Sequence, residues 1–389
     1  MKNSLIVFIL LSNLIFAQEK KFTGKIKDAE TKQPIEFVNI FFDKNNNINS
    51  TGAISNEMGE FSLSISDPKV TFSHINYESL VITLNENLNE ILLKPKIYIL
   101  DEIIVSRTSP RDYLKNIIKN SINKIDKNTL LKSYCREIVK INNDFTKFSD
   151  ALVDYYVKKG NGKSNIILTE HRALQRQQID STESFKFDDL NSAFNIQDYV
   201  KNAYNFEILE KIVNDKNYEF VRKIKKEANG NEYEYVEIIP NAESDKMLNR
   251  GYVIIDQKTK SILEFKIYTA ESHLKNSKLI NLLIAKAKLT YSLNWSKFKN
   301  INDNYILTYN KTQKGVYIKM GKKVADNFYF SSDLSVYEYK NNVEIPKKGY
   351  EKKTIFEAGT NYREEFWKKY NSFPLTANEE KFINSIKKE

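Results

Sequence analysis

"LKPKIYILDEIIVSRTSPRDYLKNII", residues 93 to 118, divides two kinds of sequence. Upstream of it, short runs alternate apolar and polar residues and are separated by turn formers. Downstream, from Ser109, apolar residues recur at helical spacing. Its centre, Leu100-Asp101-Glu102-Ile103-Ile104-Val105, is short, extended and apolar-acidic. Such a segment can close the upstream domain, link the two regions, or offer itself as a strand to a partner's sheet edge. How the chain is partitioned depends on which of these holds.

Upstream, residues 22 to 99 contain "FTGKIKD", "EFVNIFFD", "GEFSLSI", "KVTFSHI", "SLVITL" and "EILLK". Each alternates at period two and is rich in β-branched or aromatic residues, as in a half-buried strand. Turn residues separate them at Asp28 to Pro34, Asn45 to Asn49, Asn56 to Gly59 and Asp67-Pro68,. Short strands without a helical stretch predict a β-sandwich, in which the Gly59 turn joins two strands as a hairpin. Ahead of it, "MKNSLIVFILLSNLIFA" has the charged, apolar, small-residue order of a secretory signal over residues 1 to 17,. Its apolar run is too short to span a bilayer stably. Export is therefore the expected fate, to the periplasm or to an outer membrane.

These strands carry a resemblance. "GKIKDAETKQPIEFVNIFF", "TGAISNEMGEFSLSI" and "TFSHINYESLVITL" resemble the carboxypeptidase regulatory-like domain, a transthyretin-like sandwich at the front of many exported proteins of the Bacteroidota type. The matching positions are Gly24, Asp28, Pro34, Phe37 to Phe41, Gly52, Glu57 to Phe61 and Asn76-Tyr77. The resemblance implies an accessory domain with no peptidase site of its own. In receptors with this front domain, a segment like Leu100 to Val105 is a TonB-box-like peptide, captured by the energy-transducing protein through strand addition. In those receptors a large barrel follows. Here residues 106 to 389 open with a helix and are charged throughout, which does not suit a transport barrel,. Residues 100 to 110 are accordingly read as closing strand plus linker, with a partner contact at Leu100, Asp101, Glu102, Ile103, Ile104 and Val105 as the alternative.

Residues 111 to 389 read as a second, α+β domain. Ser109 can cap a helix with Pro110 at its first position; Tyr113, Leu114, Ile117, Ile118, Ile122 and Ile125 form its stripe,. "LKSYCREIVKI" and "FTKFSDALVDYYVKK" predict long strands joined at Asn142-Asn143-Asp144, and "KSNIILTEHRALQ" a third. Residues 175 to 205 read as an inserted loop or lid. Strands then resume with "FEILEKIV", "YEFVRKIKK", "EYEYVEIIP", "RGYVIIDQKTKSILEFKIYT" and three further runs. "GYVIID" with "SILEFKI" resembles a hairpin of lipoprotein-carrier-like proteins, which would curve the sheet into a half-barrel able to take an acyl chain. Near the end Trp367 suits an anchor, and Thr376 with Glu379 a capping box for a final helix whose stripe is Phe382 and Ile386,.

Chemistry is sparse. The chain has 389 residues, 60 Lys+Arg against 50 Asp+Glu, one Cys and three His. The basic excess is scattered among acids, and no basic stripe or nucleic-acid fold accompanies it. A lone Cys excludes an internal disulfide, and Cys135 in "SYCREI" has no His nearby along the chain to activate it,. His74 lies in an alternating strand. Glu170 and Arg172 flank His171 but would point to the opposite face of a strand. Glu271 shares a face with His273, without a third ligand nearby. No G-x-S-x-G, Walker loop, dinucleotide fingerprint or D-x-D-x-D-G loop occurs,. No catalytic, cofactor or metal residue is therefore assigned. The expectation is a mainly β envelope protein that binds a protein, glycan or lipid and not nucleic acid, with peripheral outer-membrane attachment among the options. Its rivals are an acyl-chain carrier, a TonB-associated component, and a hydrolase whose site is assembled from distant residues.

Overall fold

The computed structural model describes residues 20–386 apart from 43–50, 75, 86–89, 97, 105–106, 159–163, 177–192, 228–231, 283–284, 302–303, 321–323, 362 and 364–372. The signal segment, Val105, most of the expected lid and Trp367 thus lie outside the described residues. Two compact units are present: Met1–Pro95 with Glu364–Pro374, and Lys96–Arg363 with Leu375–Glu389.

The first unit contains β1 (Lys20–Asp28), β2 (Asn39–Phe42), β3 (Thr51–Ile54), β4 (Glu60–Ile65), β5 (Lys69–His74), β6 (Tyr77–Thr83) and β7 (Glu90–Leu93). They form two sheets, β4-β1-β7 and β3-β2-β5-β6. Alternate residues from both, among them Ile26, Ile40, Phe61, Leu63, Val70, Phe72 and Ile91, fill one apolar core, as period-two burial requires. Two positions of the family resemblance meet here: Tyr77 Oη donates to Asp28 Oδ2 at 2.8 Å, while Asp28 Oδ1 accepts from the backbone N–H of Glu30 and of Thr31. The Gly59 turn is not a hairpin, because β3 and β4 belong to different sheets. It carries the chain between layers, and a side chain at Gly59 (φ +72°) would place its Cβ 2.4 Å from the Ile26 carbonyl oxygen,.

The second unit is built on one sheet of twelve strands, which is not closed. These are β8 (Tyr98–Ile103), β9 (Thr129–Ile141), β10 (Asp144–Val157), β11 (Ser164–Gln175), β12 (Tyr218–Glu227), β13 (Glu232–Pro240), β14 (Asn249–Asp256), β15 (Ser261–Thr269), β16 (Ile280–Leu282), β17 (Ala285–Ile301), β18 (Asn304–Met320) and β19 (Val324–Lys340). The order is β11-β10-β9-β19-β18-β17-β15-β14-β13-β12-β8, with β16 paired to β17. Asn142 and Asn143 turn β9 into β10 with φ of 49° and 72°, the left-handed pair that a two-residue hairpin needs.

Helix α1 (Pro110–Asn123) forms as its sequence dictates. Ser109 accepts from the Asp112 backbone N–H, Pro110 opens the helix, and Leu114, Ile117, Ile118 and Ser121 are buried. Ser121 Oγ accepts from the Ile262 N–H of β15 at 3.0 Å. Helices α2 (Tyr199–Tyr204) and α3 (Glu207–Asn214) complete this face. The core beneath includes Val200, Phe206, Leu209, Val236, Val253, Phe265 and Phe298. The strand expected at "FEILEKIV" is α3 instead. Leu209, Ile212 and Val213 share one helical face, Glu207 and Glu210 suit the first turn, and burial of that face outweighs the β-like alternation,. On the other face lies α4 (Ala377–Ile386), whose Phe382 and Ile383 pack with Ile138 and Phe148. Its capping box forms as expected: Thr376 N–H donates to Glu379 Oε2 at 2.7 Å and Glu379 N–H to Thr376 Oγ1 at 3.4 Å.

Candidate functional site

Leu100 to Ile103 do not close the sandwich. They pair antiparallel with β12 at the edge of the large sheet, in the register Leu100↔Lys226, Asp101↔Lys225, Glu102↔Ile224 and Ile103↔Lys223. Ile104 N–H then donates to the Arg222 carbonyl at 3.0 Å. The edge of β12 carries unsatisfied backbone groups, and an extended segment satisfies them whichever sheet it follows in sequence. A partner that gripped this segment would have to release it from β12 or extend the sheet beyond it.

The histidines serve structural bonds. His171 Nδ1 lies 2.9 Å from the Gly359 carbonyl, and its backbone N–H donates to Asn361 Oδ1. His273 is buried between Ser272 Oγ and the Asn241 carbonyl, each at 3.0 Å. His74 packs edge-on against Tyr77. Among the described residues, no three His, Cys, Asp or Glu side chains converge to hold a metal. Cys135 is fully buried; burial pushes its thiol well above the usual range, which disfavours the nucleophilic thiolate,.

One carboxylate on the helix-covered face stands out. Glu137 accepts from Tyr199 Oη at 2.7 Å, from the Ile355 N–H at 2.9 Å and from Ser149 Oγ at 3.4 Å. Burial raises its pKa to about 7, against the lowering effect of these donors,. It ties α2 and the segment after β19 to β9. It is a buried clasp rather than an open acid.

The opposite face carries a polar seam. Tyr252, Lys266, Trp295, Lys311, Asp333, Arg136, Asp150 and Arg172 stand directly opposite one another from β14 to β11. Most of them are buried. Arg172 makes a two-pronged bond to Asp150 (2.6 and 2.7 Å), Tyr134 Oη donates to Asp150 Oδ2, and Arg136 grips Glu379 of α4 at 3.0 and 3.1 Å. Farther along, Lys311 and Tyr309 Oη both bond Asp333 Oδ1. Trp295 Nε1 and Tyr252 Oη both donate to Glu264, and Lys266 and Lys297 lie over the indole,.

At one end of this face a cleft of about 710 Å³ opens, lined by Glu237, Ile239, Pro240, Arg250, Tyr268, Glu271, Leu274 and Tyr291 with small residues between. Arg250 stands directly opposite Tyr268, and Tyr268 opposite Leu293. Tyr291, two residues before Leu293, is thus diagonal to Tyr268 on the same face. Tyr235 and Tyr252 stack at 5.3 Å on that face. Gly251 lets the strands approach, since a Cβ there would lie 2.0 Å from the Lys266 carbonyl oxygen. No motif announces this site, because its lining comes from separate strands and the turn between β15 and β16.

Comparison with known proteins adds the following. No curated protein matches the chain. Among solved structures it is similar to lipovitellin, in a structure concerned with its lipid–protein interactions, at 7% identity and a TM-score of 0.27, over 62% of this chain but only 28% of that one. It is similar to a DUF1329 family protein of Desulfovibrio piger at 10% identity and a TM-score of 0.23, over 61% and 96% of the two chains. A LolA superfamily protein of Nitrosomonas europaea follows at 10% and 0.21, over 60% and 94%. Likenesses this slight carry no functional argument. The family model of the CarboxypepD_reg-like domain matches residues 22–105. The chain therefore carries a carboxypeptidase regulatory-like domain, followed by a second, β-rich unit that lies outside that match except for its first strand, β8.

Proposed function

We propose that this is an exported, non-catalytic binding protein of the cell envelope, whose second unit holds a glycan in the cleft between β13 and β17. The observation that carries the reading is the lining of that cleft. Tyr268 and Tyr291 lie diagonally on one face, as required to receive the apolar faces of successive sugar rings, and Arg250, Glu237 and Glu271 stand at hand for hydroxyl groups,. The signal-like leader and the regulatory-like front domain support the location. An acyl chain under the helices is less well supported, since that space is occupied by buried side chains such as Leu114, Ile117, Leu209 and Phe265.

The test is binding of an oligosaccharide panel to the purified full-length chain, followed by Tyr268→Ala and Arg250→Ala. Each variant should weaken the strongest binder about tenfold, ~1.4 kcal/mol. An intact chain that binds no member of the panel, or variants that bind as well as it does, would sink the reading. Recovery of the chain from the cytoplasm with residues 1 to 17 uncleaved would remove the exported location.

A further inference from the structure

The two tyrosines of the cleft belong to a longer line. Tyr252 on β14 stands opposite Lys266, two residues before Tyr268 on β15. Tyr268 stands opposite Leu293, two residues past Tyr291 on β17, and Tyr291 stands opposite Gly315, two residues before Tyr317 on β18. Each ring is therefore diagonal to the next on one face of the sheet, and each step moves the same way along the strands. These four side chains are half-buried. At roughly 7–8 Å per diagonal step, the line runs roughly 22 Å across the sheet. Its first ring is held in place: Tyr235 on β13 stacks on Tyr252 at 5.3 Å, and Tyr252 Oη donates to Glu264 at 2.7 Å. Lys225 lies over the Tyr235 ring at 4.6 Å, so Tyr235 braces the line and does not extend it. Gly315 leaves room farther along, since a Cβ there would lie 3.1 Å from that of Tyr291.

Charged groups stand beside the rings without favouring one sign. Arg250 and Lys266 occupy the other two corners of the cell that Tyr252 and Tyr268 define, and Lys288 stands opposite Tyr317. Glu237 lies 3.4 Å from Lys223 and 3.9 Å from Arg250, Glu264 accepts from Tyr252 and Trp295, and Glu271 lines the cleft. A polymer of phosphates or carboxylates would meet these acids as it passed. A protein anchor would seek an enclosed apolar pocket. Rings set in a row with hydrogen-bonding groups beside them suit a chain whose units each present an apolar face and a rim of hydroxyls.

We propose that the glycan of the cleft is a linear, uncharged chain of several sugar units, which lies along this diagonal over Tyr252, Tyr268, Tyr291 and Tyr317. The inference rests on the cleft's holding a glycan and adds the length, linearity and charge of that glycan. The test is calorimetric titration of the purified full-length chain with linear oligomers of glucose, xylose and mannose, each from trisaccharide to octasaccharide, beside oligogalacturonides as an acidic series. Affinity for the best neutral series should rise with length, about fivefold for each ring engaged beyond Tyr268 and Tyr291. Tyr317→Leu and Tyr252→Leu should each weaken the octasaccharide about fivefold and leave the trisaccharide unchanged, which also shows that the cleft of the variant is intact. Tyr268→Leu should weaken both lengths. Trisaccharides that bind as tightly as octasaccharides, or end variants that bind the octasaccharide like the parent, would overturn the inference and leave the cleft standing. So would tighter binding of the acidic series, lost as salt is added. Binding by no oligomer at all would overturn the reading of the cleft, and this inference with it.

Discussion

Lys311 and Lys319 lie on the same face of the same strand, β18, and the sequence around them, "YNKTQKGVYIKM", treats them alike. Their surroundings are opposite. Lys311 is buried and bonds Asp333 on β19 at 3.2 Å. Lys319 is exposed and stands opposite another lysine. The first belongs to a seam in which cation, carboxylate and aromatic ring succeed one another across the sheet. The second belongs to a ledge whose charges face solvent. What separates the two is the residue each meets on a neighbouring strand, and that is set by register. A buried charge holds the fold together only while its partner stays, whereas an exposed one is available to something else.

The sharpest way to break the comparison is to remove a partner from the seam. Glu379→Ala takes both carboxylate bonds from the buried Arg136 and the capping-box bond from α4. The cost should be about 3 kcal/mol or more, read as a lower denaturation midpoint with an unchanged slope. Arg136→Met combined with Glu379→Leu removes both charges and should cost far less. If the single and double variants unfold alike, the seam is not held by charge pairing.

A smaller effect tests the other face, where Glu137 is a buried carboxylate held by hydroxyl and backbone donors, with no cation bonded to it among the described residues. Its folded pKa, raised to about 7 by burial, exceeds the ordinary value of 4.5. Between those values the folded state binds the extra proton. The contribution is therefore fully present below about pH 4.5 and is lost as pH rises through 7, by up to about 3 kcal/mol. Glu137→Gln should flatten that slope in urea melts taken across this range. A slope that survives the substitution would place its origin elsewhere.

Legibility followed the range of the interactions. Helix α1 was readable because Ser109, Pro110 and the stripe from Leu114 to Ile118 are local signals, and the capping box of Thr376 and Glu379 is local too. The β9–β10 hairpin was readable from Asn142-Asn143. Helix α3 was missed because "FEILEKIV" fits both periods over so short a run, and the core beneath decides between them,. The pairing of Leu100–Ile103 with β12 joins residues far apart in the chain, and a short extended segment says nothing about which sheet edge it will complete. The seam and the cleft were invisible for the same reason. Arg136, Asp150 and Arg172 each look like the solvent half of an alternating strand, and Tyr268, Tyr291 and Arg250 come together only once three strands are in register.

The smallest effect sharpens the comparison at the ledge. Lys319→Glu converts a repelling cross-strand pair with Lys286 into an attracting one, on exposed strands where nothing else need move. Opposite charges in that position stabilise by roughly 0.2–1 kcal/mol, so the thermal midpoint should rise slightly, and the gain should shrink as salt is added. The same change on the seam, Lys311→Glu, would set a carboxylate against the buried Asp333 and should destabilise strongly,. One substitution type with opposite signs at two positions of one strand face is a demanding outcome. If Lys319→Glu destabilises instead, the lysine is already engaged within the fold, and the cross-strand repulsion with Lys286 does not exist.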